Sequence, residues 1–99
     1  MDKPELITLI RNSPILHSDG RSILVCIVEQ AHMIRGQWAI KRIDFPQRKL
    51  AELAGVGPRV THTQLSNLKD IGALALKKMD KYQWLVVQPQ KISRLKSTP

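Results

Sequence analysis

The chain has one cysteine, one phenylalanine, one tyrosine, two tryptophans and only eight acidic residues among 99. Each scarcity excludes something. A lone Cys26 forms no internal disulfide, and its place inside the apolar run 23–28 suits a small buried thiol in a reducing compartment. That run ends at Glu29, far short of the roughly 20 apolar residues a membrane span requires. Residues 1–4 begin no basic segment followed by a long apolar stretch, so no signal peptide is expected and a cytoplasmic location is. Aromatic residues make up 4% of the chain, which argues against binding single strands by base stacking.

Catalytic chemistry is equally short of material. Glu29, Asp44, Glu52, Asp70 and Asp80 fall in caps, on helix faces or in a turn rather than in a paired-carboxylate motif. Neither a glycine-rich phosphate loop nor a nucleophile motif is present, so the chain is not expected to be an enzyme. His17, His32 and His62 have no ligand spacing, so no metal or other cofactor is expected. What the chain does have is base: 16 Lys and Arg give a formal charge of +8 and a pI near 10.2. The excess is spread, with eight basic and five acidic groups in residues 1–50 and eight and three in residues 51–99. Such a field attracts polyanions, and nucleic acid is the first partner to test. A chain of this length forms one domain that buries only about 60% of its unfolded surface.

Leu6, Leu9 and Ile10 share one side of a short helix that Asn12, Ser13 and Pro14 end. Ser18 and Asp19 are placed to cap a second helix. Its apolar positions Ile23, Leu24, Ile27, Val28, Ala31 and Ile34 keep helical spacing up to a stop at Gly36. Trp38, Ile40 and Ile43 predict a small strand ending at Asp44 and Pro46, with partners later in the chain. Asp44 and Pro46 also suit the start of a helix, since Asp accepts from free amides and Pro has no amide proton to lose. That helix runs over residues 47–54, burying Leu50, Ala51 and Leu53, until Gly55-Val56-Gly57-Pro58 breaks it. A further helix reaches about Ile71, with Thr61, Leu65, Leu68 and Ile71 on one face and Gly72 as its stop. Leu74 and Leu76, a basic tip from Lys77 to Lys81, then Tyr82 to Val87 predict a hairpin that Pro89 ends. Ile92 and Leu95, among Lys91, Arg94 and Lys96, suffice for one docked turn. Residues 1–17 thus form a helical extension, 18–89 the main domain and 90–99 a tail.

Helix, small strand, helix, tight turn, helix and hairpin is the order of a winged helix-turn-helix. This is a mainly α, α+β fold, here with a three-helix core, a small antiparallel sheet and an extra N-terminal helical segment. Such a fold projects the polar face of its second paired helix into a major groove about 12 Å wide while the apolar face packs on the helix before it. Ala51 at the crossing, Gly55 in the turn and the row Thr61, Leu65, Leu68 supply what this requires. The segments Gly20-Arg21-Ser22-Ile23-Leu24, Phe45 to Ala51 and, most densely, LAELAGVGPRVTHTQLSNLKDIGAL at 50–74 resemble the DNA-binding domain of the Crp/Fnr family of bacterial transcription regulators. The likeness covers roughly residues 20–95. It implies sequence-specific binding of double-stranded DNA and transcription regulation. It does not include the family's effector domain, so no small-molecule effector is inferred. Gly57 and Pro58 stand where the family usually has Ser then Arg or Lys, Thr61 where it prefers Val, and Thr63 at a frequent basic reading position. The family's base preference is therefore not carried over.

On the reading helix, Arg59 can fork onto guanine O6 and N7, a contact worth roughly 1–3 kcal/mol of discrimination. Thr63 and Ser66 can bond base edges or phosphate, and His62 and Lys69 complete the polar face. Lys77, Lys78 and Lys81 can lie across the DNA backbone. Each has a plainer reading: a solvated arginine, ordinary surface hydroxyls, lysines that keep an edge strand from pairing with other chains. Trp38, Tyr82 and Trp84 read as core and sheet packing. A winged-helix module for protein assembly, meeting an acidic partner with the same face, is the alternative from another class. A replication, partition or recombination factor is a third. Leu6, Leu9, Ile10, Ile15 and Leu16 can either supply a homodimer contact or cover the domain's own core.

Overall fold

Asp2 sets the start of α1 (Lys3–Arg11), accepting from the Glu5 amide at 2.9 Å, in a computed structural model that describes residues 1–93. Arg94, Leu95 and Lys96 of the expected docked turn lie outside the described residues. Helix α2 (Ser18–Gln30) is capped not by Ser18 or Asp19 but by His17, whose Nδ1 accepts from the Asp19 amide at 3.2 Å. The helix also stops short of Gly36. Ala31 is extended, and His32–Ile34 form β1. The apolar spacing 28, 31, 34 continues across a helix and a strand alike, which is why it hides the boundary. Gly36 is the second residue of a two-residue hairpin turn, with Arg35 at φ 50° and Gly36 at φ 79°, the left-handed pair such turns require. Strand β2 (Gln37–Lys41) returns from it, pairing Gln37 with Ile34, and ends before Ile43, which is 72% exposed.

Helix α3 (Gln47–Ala54) has the expected bounds but a different start. Pro46 occupies the cap position and no side chain accepts from the first turn; Asp44 stands two residues too early. Leu50 and Ala51 are buried, whereas Leu53 is 49% exposed. Gly55, at φ 70° and ψ 30°, ends the helix with a left-handed residue that costs other side chains strain. Helix α4 (Pro58–Asp70) follows, burying Thr61, Leu65 and Leu68. Ile71 is its cap rather than its last core residue and is 43% exposed, since at about 100° per residue it falls at the margin of the buried row.

Strands β3 (Leu74–Met79) and β4 (Tyr82–Val87) complete a four-stranded antiparallel sheet in the order β1-β2-β4-β3, followed by α5 (Pro89–Ser93). On edge strand β3, Leu74 is covered, but Leu76, on the same face, is 46% exposed. The fold is thus α+β, with five helices and one sheet among the described residues. Leu24, Ile27, Ile40, Leu50, Leu68 and Leu85 build its main core. Leu6, Ile10 and Leu16 of the N-terminal extension are buried in that same core, so these three cover the chain's own interior. Ile92 closes it from α5, which packs on α1.

A second, smaller core of Ala39, Met79, Trp84 and Val86, with Ile34 against it, lies apart from the first. The register sets the β1–β2 turn and the β3–β4 turn beside opposite ends of β4, about 20 Å apart for a six-residue strand. Arg35 Nη2 nonetheless donates to Asp80 Oδ1 at 3.0 Å. This bond links the two turns, and in the second core Trp84 is buried with its indole N–H donating to the Met79 carbonyl at 3.1 Å.

Cys26 sits 5% exposed in α2, where burial, and then the Glu29 carboxylate, push its thiol above the ordinary range. A raised folded-state value means the thiol form favours folding, a contribution complete below the unfolded thiol range and lost as pH rises through the folded value. We expect Cys26 to react with an aromatic disulfide at pH 8 more than about tenfold slower in native protein than in denaturant, followed by absorbance.

Candidate nucleic-acid interface

The exposed side of α4 follows from its buried row. At about 100° per residue, Thr61, Leu65 and Leu68 centre the packed face, and Arg59, Thr63, Ser66 and Asp70 stand opposite it. All four are exposed, and Asn67, exposed as well, borders them. His62 and Lys69 are exposed too but lie on the flank. His62 is engaged there, its Nδ1 at 3.2 Å from Gln47 Oε1 at the start of α3. The Thr63 hydroxyl donates to the Arg59 carbonyl at 3.2 Å, leaving its oxygen lone pairs as acceptors. Asp70 places a negative charge at the far end of the stripe, so the N-terminal half is the part suited to an anion.

Helix termini sharpen this asymmetry. Neither α3 nor α4 has a side-chain cap or an acidic residue in its first turn. Both therefore leave amide donors and the positive end of the helix dipole for an anion outside the chain. Arg48 and Lys49 lie exposed in the first turn of α3, Lys49 with its ammonium 4.8 Å from the Phe45 ring centre.

The hairpin lysines are all exposed, but the strand separates two of them. Lys77 opposes Trp84 and Lys78 opposes Gln83, so they leave opposite faces of β3. Lys81 is in the turn. There Asp80 and Lys81 have φ of 51° and 73°, a left-handed pair that carries strain for side chains with a Cβ. Lys81→Gly is expected to raise unfolding stability by about 1 kcal/mol in a urea titration.

A groove lined by Arg42, Ile43, Pro46, Lys81, Tyr82 and Gln83 brings the hairpin turn against the start of α3. The His62–Gln47 contact joins the same start to α4. The groove and the α4 contact thus both adjoin the beginning of α3. The basic pairs Lys41-Arg42 and Arg48-Lys49 that bracket it were visible in the sequence as charge on either side of Pro46, a signal that attention to α4 and the hairpin passes over. Among the described residues no cluster of His, Cys, Asp or Glu is placed to hold a metal ion, and no helix is long and apolar enough to cross a membrane. Comparison with protein-family models, with curated proteins and with solved structures finds no match to this chain.

Proposed function

We propose that the chain is a winged helix-turn-helix protein of the Crp/Fnr type that binds double-stranded DNA sequence-specifically and regulates transcription in the cytoplasm. The observation that carries this reading is the division of α4, with Thr61, Leu65 and Leu68 buried and Arg59, Thr63 and Ser66 exposed on the opposite side. The element order α2, β2, α3, α4, β3, β4 supports it, as does β4 lying between β2 and β3. In this reading α4 enters the major groove, Arg59 takes guanine, Thr63 and Ser66 contact neighbouring edges or phosphates, and His62 and Lys69 flank the backbone. Lys77, Lys78 and Lys81 hold phosphate from the hairpin.

Titration of a labelled mixed-sequence duplex tests the binding, which must weaken steeply with salt. Selection from a random duplex pool tests the specificity. An enriched palindrome with half-sites about 34–36 Å apart would add a homodimer to the reading, and a single asymmetric site would assign a monomer. A pool with no enrichment overturns sequence-specific readout. Exposed Leu53, Val60 and Ile71 favour the second reading, an assembly module whose partner is protein. That reading requires binding of an acidic protein partner and no affinity for DNA.

A further inference from the structure

The groove between the β2–α3 loop and the β3–β4 turn has an unusual charge balance. Arg42 and Lys81 both line it, and none of the six lining residues is acidic. Two carboxylates lie close in sequence, but neither forms an ion pair with Arg42 or Lys81 among the described residues. Asp80, beside Lys81, is held by Arg35 at 3.0 Å on the other hairpin. Asp44 is exposed and is not part of the lining. Arg42 is half-buried, and its side chain makes no hydrogen bond among the described residues; Nη1 is buried with no acceptor. A guanidinium confined in this way, opposite another cation, lacks the oxygen acceptor its donors require.

Apart from Gln83, the remaining lining residues Ile43, Pro46 and Tyr82 are apolar or aromatic and face outward. Ile43 is 72% and Tyr82 43% exposed, next to Pro46, and Lys41 places its ammonium 4.3 Å from the centre of the Tyr82 ring. Each wall sets a cation next to an apolar or aromatic side chain, Arg42 with Ile43 and Lys81 with Tyr82, which matches the alternation of phosphate and deoxyribose along a DNA strand. Free phosphate would use only the cations.

We propose that this groove binds the sugar–phosphate backbone of duplex DNA, with Arg42 and Lys81 on the two phosphates that flank one deoxyribose and Ile43 and Tyr82 against that sugar. On binding, the Arg42 guanidinium turns toward the phosphate and its unpartnered donors gain an acceptor. The inference rests on the DNA-binding reading and adds a contact from the β2–α3 loop, which neither α4 nor the hairpin lysines supply.

The test measures affinity of the full chain for a labelled mixed-sequence duplex from 50 to 200 mM salt. Arg42→Gln is expected to reduce the slope of log affinity against log salt by about 0.9, the value of one phosphate. The double variant Ile43→Ser, Tyr82→Ala is expected to weaken binding severalfold with the slope unchanged, as loss of an uncharged contact requires. Because the Arg42 side chain has no hydrogen-bond or ion-pair partner among the described residues, Arg42→Gln should melt no lower than the parent chain, which separates lost binding from lost folding. If Arg42→Gln melts lower, Lys81→Gln replaces it, with the same slope change expected. A parent slope in whichever of these variants folds overturns the groove while leaving DNA binding intact. An unchanged affinity in the double variant overturns the sugar contact. No binding by the parent chain overturns both the groove and the function it rests on.

Discussion

Replacing Lys77, Lys78 and Lys81 together with glutamine is expected to lower affinity for a mixed-sequence duplex by about 10²- to 10³-fold at 0.1 M salt. The slope of log affinity against log salt should flatten by about 2.7, three phosphates' worth of counterion release. The loss should be the same for every sequence, because phosphate contacts position a protein without reading bases. Arg59→Ala should behave differently. It removes about 1–3 kcal/mol of preference at one base position and leaves non-specific binding nearly unchanged. Anisotropy titrations on a selected site and on a scrambled duplex distinguish the two. Loss of equal size on both duplexes for Arg59→Ala would remove Arg59 from base reading and leave it as one more phosphate contact.

The largest expected effect on stability is at Leu68. It is 2% exposed on the buried side of α4, near Gly20 of α2, where a side chain at Gly20 would come within 4.0 Å of its methyl group. Leu68→Ala leaves a cavity between two helices that are close already, and should cost about 2–5 kcal/mol. In a domain of this size that corresponds to a fall in melting temperature of roughly 10–20 °C, with the urea m-value unchanged. Ile71→Ala is the contrast. The same three-residue spacing puts Ile71 in the apolar row of α4, but it is 43% exposed, so its truncation should cost less than about 0.5 kcal/mol. A cost at Ile71 comparable to that at Leu68 would show that α4 continues further than Asp70.

That contrast illustrates what was legible in the sequence. Periodicity located α1, α3, α4 and the β3–β4 hairpin, because in each the apolar spacing and a Gly or Pro boundary agree. It failed where one spacing fits two structures. Val28, Ala31 and Ile34 are three apart, yet the first ends a helix and the last belongs to a strand. Gly36 reads equally as a helix stop and as a hairpin turn, and only the pairing of Ile34 with Gln37 decides between them. The caps lie one or two residues from the expected positions, since an imidazole at His17 and a bare Pro46 take places that Ser18 and Asp44 are suited to.

The candidate site was legible in part for a related reason. The polar face of α4 is the complement of a buried row, so reading the row also finds the face. Arg42 has no such marker. Its setting depends on β2 pairing with β4, which brings Tyr82 and Lys81 to a loop some forty residues earlier in the chain. The Arg35–Asp80 ion pair is likewise a long-range result, joining residues 45 apart in the sequence.

The proposed function requires the outward stripe of α4 to meet DNA. Amide chemical-shift mapping during titration with a short duplex is the decisive measurement. The largest changes are expected at Arg59, Thr63 and Ser66, with a second group around Lys81. Changes confined to α1 and β1, with α4 unperturbed at saturating DNA, would contradict it.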